Sequence, residues 1–402
     1  MNQTPAPPGG PPAAPAAGNE RTAPPAPYDA LLVQSFGGPE RPEDVMPFLL
    51  NVTRGRGVPP ERLEAVAEHY HHLGGRSPIN DQNRALLAAV RAELSARGLS
   101  VGVYWGNRNW DPYLADTLRQ AHADGARRIA VLATSAYASY SGCRQYREDL
   151  ARALAEIGDA GRELTLDKIR HYYHHPGFIA PMVDGVRQAL AALPAGPPAR
   201  TRMVFVTHSV PVGMAEAAGP DGGGYVRQHH DACRSVMAGV SAAAADGLAR
   251  PSGWDLVYCS RSGAPGQAWL EPDIADHLRV LAAAGTSAVV VVPIGFVSDH
   301  MEVVYDLDTE AAEVATELGM EFRRVPTVGT DPRFVAGLVD LLLERAAAER
   351  GEHAVRPAVG ELAPSPDRCP AGCCRNPRAD LPAACGADWA GLADTLPEGA
   401  RA

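Results

Sequence analysis

Lysine is nearly missing from this chain: Lys168 is the only one, and arginine carries almost all of the basic charge. With a formal net charge of −10 there is no excess of cations to neutralise phosphates, so nucleic acid is not expected as a partner. No apolar run approaches the roughly 20 residues that a membrane-spanning helix needs. The N-terminus also lacks the basic-then-apolar order of a signal peptide, and the expectation is a soluble, cytoplasmic protein. No GxGxxG follows any apolar run, which leaves dinucleotide binding without its phosphate cradle. Alanine, glycine and proline are abundant, the composition of a GC-rich bacterial gene.

A chain of 402 residues is long enough for two domains. Residues 1–27 are almost all Pro, Ala, Gly, Asn, Gln and Thr, too polar and too flexible to offset their ordering entropy, and are expected to form a disordered tail. Short apolar runs then alternate with helical patterns. Strands are expected at 30–34, 101–104, 129–133, 166–171, 203–207, 256–259, 288–292 and 321–325, and helices at 60–72, 81–96, 112–123, 176–193 and 331–350, among others. Strands separated by helices make βαβ units and parallel sheets. The Pro/Ala/Gly-rich link 194–199 divides the strands four and four. The fold class is therefore α/β: two similar domains, 28–195 and 200–330, each a four-stranded parallel sheet flanked by helices, with a cleft between them. A C-terminal helix at 331–350 and a cysteine-containing tail at 351–402 follow.

The polar residues at strand ends carry the chemistry. In VVVVPIGFVSDHMEVVYDLD a buried strand runs through Pro293 and Gly295 into a helix, with Asp299 placed to cap it. Glu302, Asp306 and Glu310 stand at i, i+4 and i+8, drifting about 40° per step on an α-helix, so three carboxylates line one face behind His300. Such a row can steer a divalent cation; the spacing alone fits a solvated helix face equally well. MVFVTHSVP ends another strand of the same sheet on Thr207, His208 and Ser209. A neutral imidazole facing carboxylates can accept a proton at neutral pH, and His208 with Glu302 would form one site.

With these residues in hand, the chain resembles the ferrochelatases, enzymes that insert ferrous iron into a porphyrin. The similarity spans Tyr28 to about Arg350. It is carried by THSVP (207–211), PIGFVSDHMEVVYDLD (293–308), LLVQSFGGPE (31–40), GGRSPIN (74–80), TSAYASYSGCRQYRED (134–149) and APGQAWLEP (264–272). The resemblance implies the chelatase type of two-domain, Rossmann-like fold. It also implies His208 and Glu302 as the catalytic and metal-handling pair, with Asp306 and Glu310 as outer metal-guiding acids. Asp299, His300 and Ser209 would support them. Arg54, Arg56 and Ser77 are the expected propionate partners, a bidentate fork and a neutral donor. Phe36, Tyr137 and Trp269 would pack the ring or its rim. Some bacterial members carry a metal-contacting tyrosine at the position of Phe36; phenylalanine has no such oxygen and can only shape the porphyrin face.

Cysteines add a second centre. Cys369, Cys373 and Cys374 cluster in the Pro-rich tail and Cys143 lies in the body, whereas Cys233 and Cys259 read as ordinary buried thiols. Clustered thiols in a cytosolic protein indicate a soft metal or redox site, and spacing alone does not separate zinc from iron–sulfur. The resemblance implies a 2Fe–2S cluster on Cys143, Cys369, Cys373 and Cys374, with Cys385 in reserve and a flexible segment after the ligands. It further implies coproporphyrin III as the porphyrin, coprohaem as product, Fe²⁺ as the inserted metal, a monomer, and transient contact with the next haem-pathway enzyme. The alternatives are protoporphyrin IX as substrate, a cobalt or nickel tetrapyrrole chelatase, and a non-catalytic haem carrier.

Overall fold

A computed structural model describes residues 25–55, 57–194, 200–242, 251–262 and 266–391. The expected N-terminal tail up to residue 24, Arg56, and the chain after 391 lie outside the described residues. Eight strands are present: β1 Ala30–Ser35, β2 Gly102–Asn107, β3 Arg128–Ala133, β4 Thr165–Lys168, β5 Thr201–His208, β6 Trp254–Cys259, β7 Ala288–Val292 and β8 Glu321–Arg324. They form two parallel four-stranded sheets, ordered β2-β1-β3-β4 and β6-β5-β7-β8. Each half thus repeats one topology, its first strand lying inside the sheet.

The central strands are continuous apolar runs because helices cover both of their faces. Val289, Val290, Val291 and Val292 of β7 are all fully buried. At roughly 1.5–3 kcal/mol for each buried valine, a charge introduced there would break the second sheet. The strand expected at 166–171 is shorter at its carboxyl end. Arg170 leaves the ladder because its guanidinium pairs with buried Glu344, with Nε 2.6 Å from Oε1.

One core cluster contains residues of both sheets, including Leu31 and Leu132 from the first and Met203 and Val290 from the second. The last helix, Pro332–Glu349, packs on Ile79–Ala96 and Pro176–Ala191, so the end of the chain braces the first half. Val45–Val52 and Pro60–His72 form a helical pair whose apolar side packs against Met301 and Tyr305 of the second half. Of the tail after its cysteines, the described part up to residue 391 packs on the body. Asp388 lies 2.6 Å from Arg144 Nη1 and 2.5 Å from Arg147 Nη2, and the carbonyl of Ala384 accepts from Arg147 Nε at 2.6 Å. Arg147 is fully buried, and a buried guanidinium requires these partners.

Candidate active site

β5 brings His208 to the carboxyl edge of the second sheet, where open α/β sheets bind ligands. Its neighbour β7 turns into the helix bearing Glu302. Strand pairing therefore makes the two side chains meet: His208 Nε2 is 3.5 Å from Glu302 Oε2, and His300 Nδ1 is 3.8 Å from the same oxygen. A carbonyl only accepts, so the bond between His208 Nδ1 and the Ser209 carbonyl puts a proton on Nδ1 and leaves Nε2 facing the carboxylate. The two side chains are 33% and 41% exposed, which gives protons and ions a route to solvent.

Burial alone would lower the proton affinity of His208, but the hydrogen bond and charge of Glu302 outweigh it, and the imidazole ends above its usual value. Burial likewise opposes ionisation of Glu302, yet His208 and His300 bring it down to about 2. Each partner thus favours the charged form of the other. His300 is pushed down by burial, which prevails over the pull of Glu302. Asp306 moves the other way: burial, with Glu302 and Glu310 adding to it, raises it to about 7 against the hydrogen bond from Ser260 Oγ.

The acidic row does not lie on a plain α-helix. Met301–Val303 and Ala312–Glu317 are α-helical, but Val304–Ala311 is a π-helix. Its wider turn replaces the expected i, i+4, i+8 stack, and such turns recur at functional sites. Asp299 does not cap this helix; the N-cap is His300, without a side-chain bond. Its carboxylate is held 3.1 Å from Arg324 Nη1, which also binds Asp308, and its N–H donates to Gln82 Oε1 at 2.9 Å.

The remaining expected residues fall in different places. Phe36 is half-buried, edge-on to Phe48 at 6.2 Å and beneath the Arg108 guanidinium. Ser77 is buried against Gly38, and Arg54 is exposed on the loop after Val45–Val52. Half-buried Trp269 bridges to Pro211, and its indole Nε1 is buried without a partner. Ser209 is pinned by its N–H to Cys259 and its hydroxyl to Leu270, both at 2.8 Å. Tyr137 presents no surface to a ring: it is buried, and its hydroxyl donates to the Ile294 carbonyl at 2.9 Å.

Sequence reasoning passed over three residues. Ser260, which follows β6 at φ 60°, bonds Asp306. Its position at a strand end was a usable signal; its left-handed backbone was not. Tyr305 stacks on His69 at 4.0 Å, linking the π-helix to Pro60–His72 of the first half. Tyr70, buried beside these, lies close enough for Glu302 to oppose its ionisation, after burial itself.

Cys143, Cys369, Cys373 and Cys374 share one small buried cluster with Ala138. The sulfurs of Cys143 and Cys369 are 3.9 Å apart and those of Cys373 and Cys374 are 3.8 Å apart; Cys374 also accepts from the Gly219 N–H at 3.1 Å. Cys369 is held well below the usual thiol range by hydrogen bonds from Cys143 and Cys373, with cationic Lys168 and Arg147 nearby. Cys385 is elsewhere, donating to the Leu166 carbonyl at 3.2 Å within a separate core. All are free thiols, and among the described residues no group of three or more His, Cys, Asp or Glu is arranged to hold a metal ion.

The family model described as Ferrochelatase matches residues 28–346. Among curated relatives, a protein of Streptomyces griseus named coproporphyrin III ferrochelatase is 60% identical over 370 residues, covering 90% of this chain and 97% of the relative. A Streptomyces coelicolor protein of the same name is 60% identical over 368 residues, with 90% and 97% covered. One from Leifsonia xyli, again of that name, is 51% identical over 375 residues, with 89% and 94% covered.

Proposed function

We infer, from a chain that belongs to the ferrochelatase family, that this protein inserts Fe²⁺ into coproporphyrin III, releasing two protons and giving Fe-coproporphyrin III. The observation that carries the reading is the pairing of His208 Nε2 with Glu302 Oε2 at 3.5 Å, with Asp306 following on the same helix. The substrate is taken from the names of relatives matched over nearly their whole length.

The geometry supports an order of events. Before metal arrives, Glu302 raises the proton affinity of His208 and favours its protonated form. A cation drawn along Glu310 and Asp306 to Glu302 competes for that carboxylate and lowers the proton affinity of His208. Its proton then leaves through the exposed edge, and the freed imidazole and carboxylate can take the pyrrole protons as iron enters the ring. His300 and Asp299 hold the turn, and Ser209 fixes the His208 tautomer. Phe36 and Trp269 would face the macrocycle, with Arg54 and Ser77 on its propionates.

We extend the reading to a 2Fe–2S cluster on Cys143, Cys369, Cys373 and Cys374. What supports it is four buried thiols drawn together from body and tail, beside Lys168 and Arg147, whose charges suit thiolate ligands. Bound there, the group would supply a redox-active clip between tail and body, and no step of the chelation passes through it. Cys374→Ser should abolish the visible absorption and cluster iron, whereas Cys385→Ser should retain both; the reverse pattern would move the ligand. We place the protein in the cytoplasm as a monomer that hands its product to the following enzyme.

Direct competition between coproporphyrin III and protoporphyrin IX for Fe²⁺ insertion under anaerobic conditions tests the substrate. Preference for coproporphyrin is expected. Preference for protoporphyrin would overturn the substrate and leave the site.

A further inference from the structure

Between Val292 and Met301 the chain makes the turn that hands Glu302 to the site, and the helix it leads into starts on His300 without a side-chain cap. With no cap to fix that end, its direction depends on what holds the residues before it. Its own half holds the turn at three points. The Gly295 N–H donates to the Val206 carbonyl at 3.2 Å, the Val297 carbonyl accepts from the Gly329 N–H at 3.1 Å, and the Asp299 carboxylate rests on Arg324. The first half holds it at two more. The Tyr137 hydroxyl donates to the Ile294 carbonyl at 2.9 Å, and the Asp299 N–H, three residues before Glu302, donates to Gln82 Oε1 at 2.9 Å.

Gln82 projects from a fixed base. It lies in the first turn of the helix Ile79–Ala96, between Asn80 and Asn83, both of which are buried. Asn80 Nδ2 donates to the Gly38 carbonyl at 3.1 Å and to Glu40 Oε1 at 2.9 Å, and Asn83 Nδ2 donates to Ser35 Oγ at 2.8 Å. Ser77, just ahead of the helix, donates its N–H to the Pro39 carbonyl at 2.9 Å. These bonds fasten the helix start to the end of β1 and to the loop that carries Phe36. A peptide N–H only donates, so the atom that Gln82 gives to Asp299 is its amide oxygen. One side chain therefore joins the wall of Phe36 and Ser77 to the turn before Glu302, and no step of the proposed reaction calls on it.

We propose that Gln82 is a positioning residue for Glu302: by accepting the Asp299 N–H it holds the start of the Glu302 helix against the wall that carries Phe36 and Ser77. The proposal rests on the reading of His208 and Glu302 as the chelation pair. Gln82→Leu removes the acceptor and keeps the bulk. Gln82→Glu keeps an acceptor of equal reach, and Arg324 already pairs with the Asp299 carboxylate beside it. Gln82→Leu should lower kcat for Fe²⁺ insertion by about tenfold, leave KM for Fe²⁺ and porphyrin within about twofold, and displace the His208 and His300 imidazole NMR signals in the ligand-free protein. Gln82→Glu should stay within about threefold of the intact protein, with those signals near their original positions. A kcat for Gln82→Leu within about twofold of the intact protein, equal losses in the two variants, or unmoved His208 and His300 signals would overturn the proposal. A lowered unfolding temperature as the sole effect would do the same, leaving Gln82 as a tie between the halves. Should Gln82→Leu fail to fold, Gln82→Met, equally without the oxygen, carries the same comparison. If the intact protein inserts no iron, the chelation reading falls by itself, and the NMR comparison still decides whether Gln82 places the pair.

Discussion

Asp306 is the acid of the row whose charge changes near neutral pH. Burial raises its carboxyl to about 7, with Glu302 and Glu310 adding to the shift, so it is mostly protonated at pH 6 and mostly ionised at pH 8. Ionisation adds a negative charge on the proposed route of the cation to Glu302. The KM for Fe²⁺ should therefore fall as pH rises through 7, by up to about tenfold between pH 6 and 8. Asp306→Asn should flatten that dependence. Ser260→Ala removes a donor that favours the charged form and should move the transition to higher pH. An unchanged profile in both variants would remove Asp306 from the metal route. His208 and Glu302 were legible in the sequence because both stand just past apolar runs of neighbouring strands. The clamp of Arg324 on Asp299 was not: it comes from the end of β8, and no spacing marks a pairing between separate elements.

At the level of elements, the tail is bound to the body by charge. Arg144 and Arg147 project from the turn and helix that follow Cys143, and both rest on Asp388. Asp388→Ala would strip Arg147 of its carboxylate partner, leaving its carbonyl partners, and would leave Arg144 with Glu148 and the Leu381 carbonyl. Stability in urea denaturation should fall by about 3 kcal/mol, the lower end of the cost of stripping a buried pair, because Asp388 is partly exposed. A change below about 0.5 kcal/mol would mean that the tail is held by its thiols and apolar contacts instead. This packing was invisible in the sequence, since Ala384 and Asp388 follow no helical or strand period. The π-helix was invisible for the opposite reason. Val303, Leu307 and Ala311 recur at a spacing that an α-helix satisfies equally well, and only the hydrogen bonds of the folded chain distinguish the two.

Across the whole molecule, the repeat of one strand order in both halves places two carboxyl edges around the site, and the sequence conveyed this through its division of apolar runs. It did not convey that Pro332–Glu349 braces the first half, because an amphipathic helix does not name the surface it will cover. The contact of Met301 and Tyr305 with the helices Val45–Val52 and Pro60–His72 likewise joins the helix bearing Glu302 to the wall that carries Phe36. On the proposed reading, this assembly brings a porphyrin against His208 and Glu302. That reading is tested most directly by anaerobic Fe²⁺ insertion into coproporphyrin III, comparing the intact protein with His208→Ala. Rapid metallation is expected from the intact protein, falling by at least about a hundredfold in the variant while porphyrin still binds. Equal rates in the two proteins, or no insertion by the intact protein together with tight binding of haem, would contradict it.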